Sequence, residues 1–443
     1  APVRPRYIIP DYGKFMREGS AFLQLPPPKD IFEALNSLLI FYKHVPSVTN
    51  FPVYLGALDE LLEPFMDDVD EATAKKLIRL FLIHVDRTVL DSFSHANIGP
   101  KATRAGRLIL EAEAELEQAV PNLTLKYQEG VTPDDFALEA VNTALHSAKP
   151  SFANHAMFKS ELGENYVIAS CYNGLLLGGG SYTLCRLMLG TIARKSKNLA
   201  DFKERMLPHV MDVMAKYMDA RIKFEVEESG FFENHFLAKE GFIHRDRFTA
   251  MFGLVGLAEC VNTLLEKEGI PGRYGHDKNA DDLGVEIMEQ IRAFNESHVN
   301  PYCEATGGHF LLHGQVGIAQ DHGVTPGTRI PIGEEPDELI DELLHCSRFH
   351  KYFPSGMGDI IPIDVTVHQN PAYVLDIVKG SFRKDLRYLS FFSSDSDVIR
   401  VTGYLVKKSE MAKLDAGQNV LQDTTQLGLG ASKNGKILER RVR

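Results

Sequence analysis

The 443-residue chain is 44% hydrophobic and 24% charged, which is ordinary for a globular protein with one large core or two to three domains. Its formal net charge of -12 argues against nucleic acids and anionic membranes as main partners. No apolar run in the sequence predicts a membrane span. The chain starts at Ala1 in a proline-rich segment unlike a signal peptide, so we expect N-terminal residues to be missing.

Helical patterning dominates the first part of the chain. Apolar residues recur at helical spacing in the ranges 30–42, 71–90 and 102–120. We therefore predict a helical region, residues 1–120, that packs on the rest of the protein. His95 lies in a polar loop between these segments, and we keep it as a pocket candidate, although loop histidines are more often solvated or structural.

Strands begin to alternate with helices after residue 120. Residues 121–127 alternate like a half-buried strand, and Thr-Pro-Asp-Asp at 132–135 is typical of a helix N-terminus. A loop at 149–154 is predicted before the next strand. This strand, helix, strand order predicts an α/β sheet or barrel.

Three later segments are predicted to be helical, and the tail is predicted to lie on the surface. The helices are a stripe from Leu184 to Ile192, a long helix at 199–224 and a buried helix at 247–261. Further strands are expected at 360–367 and 388–392. The polar residues 407–443 are expected to wrap the surface.

The five cysteines are odd in number, widely spaced and without a C-x-x-C pair. This pattern fits a reducing cytoplasm, and it predicts neither a zinc site nor an iron–sulfur cluster on this chain. Each thiol is then buried filler or individually reactive. We interpret Cys185 and Cys260 as core packing, and the neighbouring Glu259 as a structural hydrogen-bond acceptor.

Cys171 stands apart from the other cysteines. It ends an apolar run of strand length that begins at Asn165, and three consecutive glycines follow at 178–180. A cysteine at the tip of a buried strand, in a loop loosened by glycine, is held in place yet reachable. Because a free cysteine is usually a small buried hydrophobe, a functional role needs a second signal.

Gly403 provides that signal, in the run Ile-Arg-Val-Thr-Gly-Tyr at 399–404. Glycine costs stability inside a β-branched, apolar run and has no side chain to pack. Its α carbon, however, can become planar. A radical formed by loss of the α hydrogen is delocalised over the adjacent amide nitrogen and carbonyl. A lone Gly-Tyr pair usually marks a turn. We favour the interpretation of Gly403 as a radical site because Cys171 lies upstream.

These two stretches closely resemble the signatures of the glycyl radical enzymes. The resemblance covers roughly residues 122–418 and is strongest to the YjjI-type branch, which has no assigned reaction. It implies a ten-stranded α/β barrel surrounded by helices, with the Cys and Gly loops inside. The barrel core would span 121–392, and a C-terminal glycyl radical domain with its tail would span 393–443.

The resemblance also implies a mechanism and partners. A separate S-adenosylmethionine-dependent activating enzyme with an iron–sulfur cluster would convert Gly403 to a radical. Cys171 would take over the radical, and its thiyl form would abstract hydrogen from a small polar substrate in a closed interior. A cytoplasmic homodimer without a metal on this chain is implied as well.

Departures from the known branches leave the reaction open. Ser170 stands where pyruvate formate-lyase carries a second cysteine, and Asn173 stands where dehydratases and carbon–nitrogen lyases carry a general-base glutamate. The tail lacks the four cysteines of anaerobic ribonucleotide reductases. An acyl C–C lyase like pyruvate formate-lyase and a non-catalytic regulatory relative remain alternatives. A Cys-His hydrolase is weaker, since no such motif surrounds Cys171.

Residues 300–329, which are rich in Gly and His, supply further candidates for substrate binding. Such loops commonly line pockets, so Glu304, His309 and Thr325 join Asn173 as substrate-binding candidates. We expect a His or Glu between 304 and 322 to orient the substrate. His309 and His313 would share one face of a helix, but the surrounding glycines favour strand and loop, so no metal site is predicted.

Overall fold

The computed structural model describes residues 3–46, 51–315 and 324–443, which form a mixed α/β fold of fourteen strands and eighteen α-helices. The strands are β1 (Tyr7–Ile9), β2 (Tyr54–Ala57), β3 (His95–Ile98), β4 (Asn122–Tyr127), β5 (Ser151–Asn154), β6 (Tyr166–Ala169), β7 (Asn173–Leu176), β8 (Gly179–Met188), β9 (Phe248–Val255), β10 (Leu311–Gly314), β11 (Asp359–Ile363), β12 (Tyr388–Ser393), β13 (Val398–Arg400) and β14 (Leu405–Lys407).

The helices cover the sheets and connect most of the strands. They are α1 (Tyr12–Glu18), α2 (Ile31–Tyr42), α3 (Leu58–Leu62), α4 (Glu71–Thr88), α5 (Arg104–Leu116), α6 (Asp134–Ser147), α7 (His155–Leu162), α8 (Leu189–Lys195), α9 (Leu199–Asp201), α10 (Leu207–Glu227), α11 (Phe231–Asn234), α12 (Phe236–Lys239), α13 (Leu257–Glu268), α14 (Lys278–Ser297), α15 (Leu339–Ser347), α16 (Ala372–Phe382), α17 (Lys408–Asp415) and α18 (Thr424–Gly435). No helix of the described ranges is long and apolar enough to cross a membrane.

Ten of the strands form two larger sheets. One sheet has the order β11-β12-β5-β4-β3-β2 and is parallel except between β12 and β5. The other has the order β1-β8-β9-β10 and is parallel except between β1 and β8. The remaining strands form two antiparallel hairpins, β6–β7 and β13–β14.

The edges of the two larger sheets approach each other. Near β11, Ser355 N–H donates to the Leu312 carbonyl at 3.3 Å, and Gly314 N–H donates to the Gly356 carbonyl at 2.9 Å. At the opposite edges, the hydroxyl of Tyr12, just after β1, donates to the Tyr54 carbonyl of β2 at 2.8 Å. The strand pairing of the described residues does not by itself show the single ten-stranded barrel that we expected.

Helices of the N-terminal region begin where the sequence predicts, because acidic or hydroxyl side chains cap them. Asp30, Asp70 and Thr103 each accept the backbone N–H of the residue three positions on, at the start of α2, α4 and α5. Region 1–120 is not helical alone, however. It also contributes β1 to the smaller of the two larger sheets and β2 and β3 to the six-stranded one.

Three local predictions are wrong. Residues 184–188 belong to strand β8, residues 248–255 form strand β9 and residues 151–154 form strand β5, where we expected helix, helix and loop. Strand β9 is central in its sheet and buried along its whole length, which removes the alternation that distinguishes a strand from a helix. In β8 the residues from Leu184 to Arg186 are all half-buried, so this segment shows no alternation either. Gly256, at φ 75°, ends β9 and starts α13.

Candidate active site

The tips of the two hairpins meet in the protein interior. Cys171 occupies the turn between β6 and β7, and Gly403 occupies the turn between β13 and β14. A Cβ atom built on Gly403 would lie 2.7 Å from the Cys171 Cα and closer still to its Cβ and Sγ. Because a C–C bond is about 1.5 Å long, Sγ lies within roughly 4 Å of the Gly403 Cα. A larger residue at 403 would displace Cys171.

The Cys171 thiol is buried and protonated. Its side chain is 5% exposed, and burial raises the pKa of the thiol to about 11. The Ser170 hydroxyl, 3.9 Å from Sγ, and the charges of three arginines lower this pKa by smaller amounts. The arginines are Arg329, Arg400 and Arg6. At neutral pH the group is therefore an S–H hydrogen donor and not a thiolate nucleophile.

A buried hydrogen-bond chain from the six-stranded sheet supports the Cys171 turn. His95 Nδ1 lies 2.6 Å from the Ser170 carbonyl, which only accepts, so Nδ1 carries the proton. His95 Nε2 then accepts from the Thr124 hydroxyl at 2.7 Å, and Thr124 accepts from Tyr388 at 2.8 Å. Burial lowers the pKa of His95 to about 3, which keeps the ring neutral.

Further backbone contacts hold the same hairpin. Asn97 of β3 bonds both the N–H and the carbonyl of Ile168, at 2.9 and 2.8 Å. Ser170 N–H donates to the Val53 carbonyl at 3.0 Å. Ser170 has φ 56°, a left-handed conformation that is unusual for a residue other than glycine. These contacts over-determine the turn, and so they can hold Ser170 in this conformation.

Asn122 of β4 joins the two tips directly. Its amide nitrogen lies 3.2 Å from the Gly403 carbonyl and 3.3 Å from the Ser170 carbonyl. Its carbonyl oxygen accepts from Arg400 Nη2 at 2.8 Å. One side chain thus sets the position of the Gly403 turn relative to the Cys171 turn.

The C-terminal segment holds the Gly403 hairpin from the other side. Arg440 donates to the carbonyls of Arg400 and Val401 at 2.8 and 2.6 Å. Helix α18 packs Gly428 so close to Val406 of β14 that a Cβ there would lie 2.7 Å from its Cγ1. Helices α17 and α18 pack against the hairpin, and Arg440 is half-buried, so part of the tail that we expected on the surface contacts this hairpin instead.

Asn173 offers an unsatisfied polar group next to Cys171. It is 1% exposed, and neither its amide nitrogen nor its amide oxygen has a hydrogen-bond partner among the described residues. A buried amide without hydrogen-bond partners costs free energy. A ligand that forms these hydrogen bonds would remove that cost and bind more tightly. The unpaired amide group of Asn173 therefore supports the interpretation of this residue as a substrate-binding candidate.

Thr325 lies on a cavity of about 290 Å³ beside the Gly403 hairpin. Its N–H and hydroxyl both donate to Glu259 Oε1, at 2.7 and 2.5 Å, so Glu259 is the hydrogen-bond acceptor that we predicted. Burial raises the pKa of Glu259. Thr402, the residue before Gly403, forms part of the same cavity wall.

The two other candidates lie in different contacts. Glu304 is half-exposed and pairs with Arg245 at 3.2 Å, and His309 Nδ1 donates to the His298 carbonyl at 3.0 Å. Within the described ranges neither contacts a residue of the two hairpin tips. Part of the range in which we expected a substrate-orienting His or Glu, residues 316–322, lies outside the described residues.

Cys346, His350 and Asp359 bring three possible metal ligands together, with their ligand atoms within 4.8 Å of one another. His350 Nδ1 already accepts the Arg387 backbone N–H at 2.9 Å, so Nε2 carries the proton and donates to Asp359 at 2.7 Å. Because Nδ1 accepts a hydrogen bond, a metal bound to Nε2 would require an imidazole ring with no proton on either nitrogen. We interpret the cluster as a buried hydrogen-bond network.

Comparison with known structures identifies the fold. The chain superimposes on an anaerobic ribonucleotide reductase from Thermotoga maritima with a TM-score of 0.73 and 12% identity, covering 94% of this chain and 82% of that one. A B12-independent glycerol dehydratase from Clostridium butyricum gives 0.67 and 13%, covering 94% and 68%. A glycyl radical enzyme from Archaeoglobus fulgidus gives 0.69 and 12%, with the same coverage. The protein has the fold of the glycyl radical enzymes.

Sequence comparison then gives the family. The model of the Glycyl radical enzyme YjjI-like family matches residues 1–443, so the chain belongs to that family. An uncharacterized protein of Haemophilus influenzae is 48% identical, over 99% of this chain and 86% of its own length. The uncharacterized protein YjjI of Escherichia coli K12 is 43% identical, over 100% and 85%.

Sequence reasoning missed the residues that hold the site together. Asn122 and Arg440 are distant in sequence from Cys171, and each contacts a hairpin through its side chain alone. His95 was chosen only as a loop histidine, yet it lies in strand β3. Asn122 begins strand β4, which the sequence predicted only as a half-buried strand, without a role for this side chain.

Proposed function

We propose that this protein is a catalytic glycyl radical enzyme, which stores a radical on Gly403 and passes it to Cys171. The observation that carries the proposal is the contact of the two buried tips, with Sγ within roughly 4 Å of the Gly403 Cα. The protonated state of the Cys171 thiol supports it, because hydrogen-atom transfer needs S–H. We further propose that the two larger sheets, whose edges approach on both sides, form a barrel wall around the tips.

The transfer is balanced and reversible. The Gly403 α radical takes a hydrogen atom from the Cys171 S–H, which restores the glycine CH₂ and leaves a thiyl radical. The thiyl radical then takes a hydrogen atom from a substrate C–H bond and becomes S–H again, with the unpaired electron on the substrate. The tips are buried, so water does not compete with these steps.

Installing the radical requires another protein and an opening of the Gly403 hairpin. We propose that a separate S-adenosylmethionine-dependent, iron–sulfur activating enzyme of the cytoplasm removes the α hydrogen. Because Gly403 is buried against Cys171, that enzyme can reach it only when the hairpin and the C-terminal segment move away. A homodimer is proposed on the resemblance alone.

On the substrate side we propose that Asn173 binds a polar group of a small organic molecule. Its unpaired amide can donate and accept but cannot remove a proton, so it orients the substrate and is not a general base. Thr325 is proposed as a further substrate-binding residue, because it lies on the cavity beside Thr402. Glu304 and His309 remain predictions without a supporting contact.

An experiment in D₂O tests the proposal without a known substrate. After anaerobic activation, electron paramagnetic resonance should show a doublet from the one α hydrogen left on Gly403. If Cys171 exchanges hydrogen with Gly403, its solvent-derived deuterium will replace that α hydrogen and collapse the doublet. We expect collapse in the wild type and a persistent doublet in Cys171→Ala.

Two controls make the result specific. Cys185→Ala removes a half-buried thiol outside the turn and should behave like the wild type. Growth with α-deuterated glycine should collapse the doublet in every variant, which assigns the radical to glycine without changing the structure. A wild type that never forms the doublet would leave the non-catalytic relative as the better description.

The alternative chemistries find less support. A Cys-His hydrolase needs an imidazole on the thiol, but His95 bonds the Ser170 carbonyl, and no described histidine hydrogen-bonds to Sγ. With a pKa of about 11, Cys171 should also react slowly with iodoacetamide at neutral pH. For an acyl lyase, Ser170 would have to hold the acyl group in place of a second cysteine.

A further inference from the structure

The cavity beside the Gly403 hairpin contains unpaired polar groups. Arg329 is 7% exposed and uses Nε to bond the Gly358 carbonyl at 2.6 Å, but its Nη1 has no partner in the described structure. The Thr402 hydroxyl is likewise buried and unpaired, and so is Glu259 Oε2. All three residues form the wall of this cavity of about 290 Å³, which is large enough for a small metabolite.

Arg329 and Arg440 lie on the wall of this cavity, and Arg400 of the Gly403 hairpin is close to Arg329. Arg329 and Arg400 are buried and Arg440 is half-buried, and the charge of Arg329 lowers the pKa of the other two, after the larger effect of burial. Arg400 and Arg440 bond carbonyl and amide oxygens, which carry no charge. Like charges that lie close together in the interior are unfavourable unless negative groups lie near them.

Carboxylates on the same wall partly offset these arginines. They are Glu259, Glu335, Glu342 and Asp359, and the last three raise the pKa of Arg440. Asp359 lies 3.7 Å from Arg329 Nε, but it also accepts from His350. Glu342 forms an ion pair with Arg443. Burial raises the pKa of Glu259, which disfavours its charged form. Asp359 is the one carboxylate in the described ranges that forms an ion pair with any of the three arginines.

The position of Arg329 connects the cavity with the radical pair. Its guanidinium carbon lies 5.9 Å from the centre of the Tyr172 ring, and Tyr172 directly follows Cys171. On the other wall, Thr402 directly precedes Gly403. Arg329 is also close enough to Cys171 that its charge lowers the pKa of the thiol, so a ligand bonded to Arg329 would lie near the proposed radical pair.

We propose that the substrate is a small molecule with an oxyanion group, a carboxylate or a phosphate, which binds Arg329 in this cavity. The planar guanidinium suits the two oxygens of such a group, and the Thr402 hydroxyl adds a third donor. The proposal rests on the proposed function, since it identifies the bound molecule as the substrate of Cys171. A net charge of -12 on the chain means that any anion must bind at a local positive site.

Binding to the full, unactivated chain tests the proposal, with isothermal titration calorimetry of matched ligand pairs. One pair is glycerol 3-phosphate and glycerol, and the other is lactate and propane-1,2-diol. We expect at least one anion to bind about tenfold or more tightly than its neutral partner. Preference in the first pair identifies a phosphate site, and preference in the second a carboxylate site. Equal binding within both pairs overturns the proposal.

Substitutions locate the site. Arg329→Gln should lose the preference for the anion. Arg441→Gln, which removes an exposed arginine of the C-terminal tail, should keep it. Arg329→Lys keeps the charge and should retain part of the preference. If Arg329→Gln binds the anion as tightly as the wild type, the proposal is wrong. The wild-type comparison decides the question even if a variant does not fold.

Activation separates this inference from the function on which it rests. A wild type that forms the Gly403 doublet but has no preference for anions overturns the substrate class and leaves the radical function standing. A wild type that binds anions but never forms the doublet overturns the radical function, and with it the role of the anion as substrate.

Discussion

The two hairpins whose tips meet are held in different ways. The Cys171 hairpin is bonded by side chains and backbone of the sheets, through His95, Asn97 and Val53. The Gly403 hairpin is bonded instead by the end of the chain, through Arg440 and the packing of α18. Asn122 is the side chain that reaches both.

This difference indicates which tip can move. To release the Cys171 turn, buried bonds to central strands of the sheet would have to break. To release the Gly403 turn, a C-terminal segment of about one helix and a short tail would have to leave, which resembles local opening more than unfolding. This difference agrees with the proposed roles, in which another protein reaches Gly403 on the movable hairpin and the Cys171 thiol holds its position on the fixed one.

The largest effect is expected from Gly403→Ala, which tests the contact itself. The added Cβ would lie 2.7 Å from the Cys171 Cα, so the tips must separate at a cost of about 1–3 kcal/mol. We expect complete loss of the radical doublet and a lower urea midpoint. Gly380→Ala is the control, since a Cβ there meets no described atom within 4 Å. An unchanged midpoint for Gly403→Ala would mean that the tips are not in contact.

Asn122→Ala should loosen both hairpins at once. It leaves Arg400 Nη2 and the carbonyls of Ser170 and Gly403 without this partner, which we expect to cost about 3 kcal/mol of unfolding free energy. Equilibrium urea unfolding measures the loss. Asn279→Ala removes one exposed hydrogen bond and should cost much less. Equal costs for the two would show that the bridge contributes nothing.

Arg440→Ala should affect the Gly403 hairpin alone. Without its bonds to the Arg400 and Val401 carbonyls, we expect a stability loss of about 2 kcal/mol and faster radical formation by the activating enzyme. The rate is measured as growth of the doublet under anaerobic conditions. Arg441→Ala, in an exposed ion pair, is the matched control. Slower radical formation in Arg440→Ala would contradict the idea of a movable hairpin.

The last expected effect is a pH dependence of stability, which His95 causes because it is buried beneath the Cys171 hairpin. The pKa of His95 is about 3 in the folded protein, below its ordinary value, because the ring is buried and neutral. The unfolded chain therefore binds more protons below about pH 6.5, and stability present above that pH is lost as pH falls towards 3.

Removing that titration should flatten the stability curve. Between pH 6 and 4, the stability of His95→Gln should fall less steeply than that of the wild type, by up to about 1.4 kcal/mol per pH unit. Denaturation with urea at each pH measures the slopes. His44→Gln replaces an exposed histidine and serves as the control. Parallel slopes for His95→Gln and the wild type would mean that His95 is not held neutral.

Much of the site was predictable because its chemistry is local in sequence. A strand that ends at Cys171 and a glycine within a β-branched run each leave a signature in a few adjacent residues, and the structure places both in hairpin turns. The helices α2, α4 and α5 were predictable for the same reason, since caps and apolar periodicity are local. Strands β8 and β9 were not, because neither shows the alternation of buried and exposed residues that indicates a half-buried strand.

The sequence by itself predicted the two residues of the proposed radical pair and gave the family resemblance. Tertiary structure alone decided that their tips touch, that Asn122 joins them, that Arg440 holds one of them and that Arg329 lies on a cavity next to both. The physical reason is that these contacts join residues up to 281 positions apart. The strength of such a bond depends on distance and burial, which the order of residues along the chain does not state.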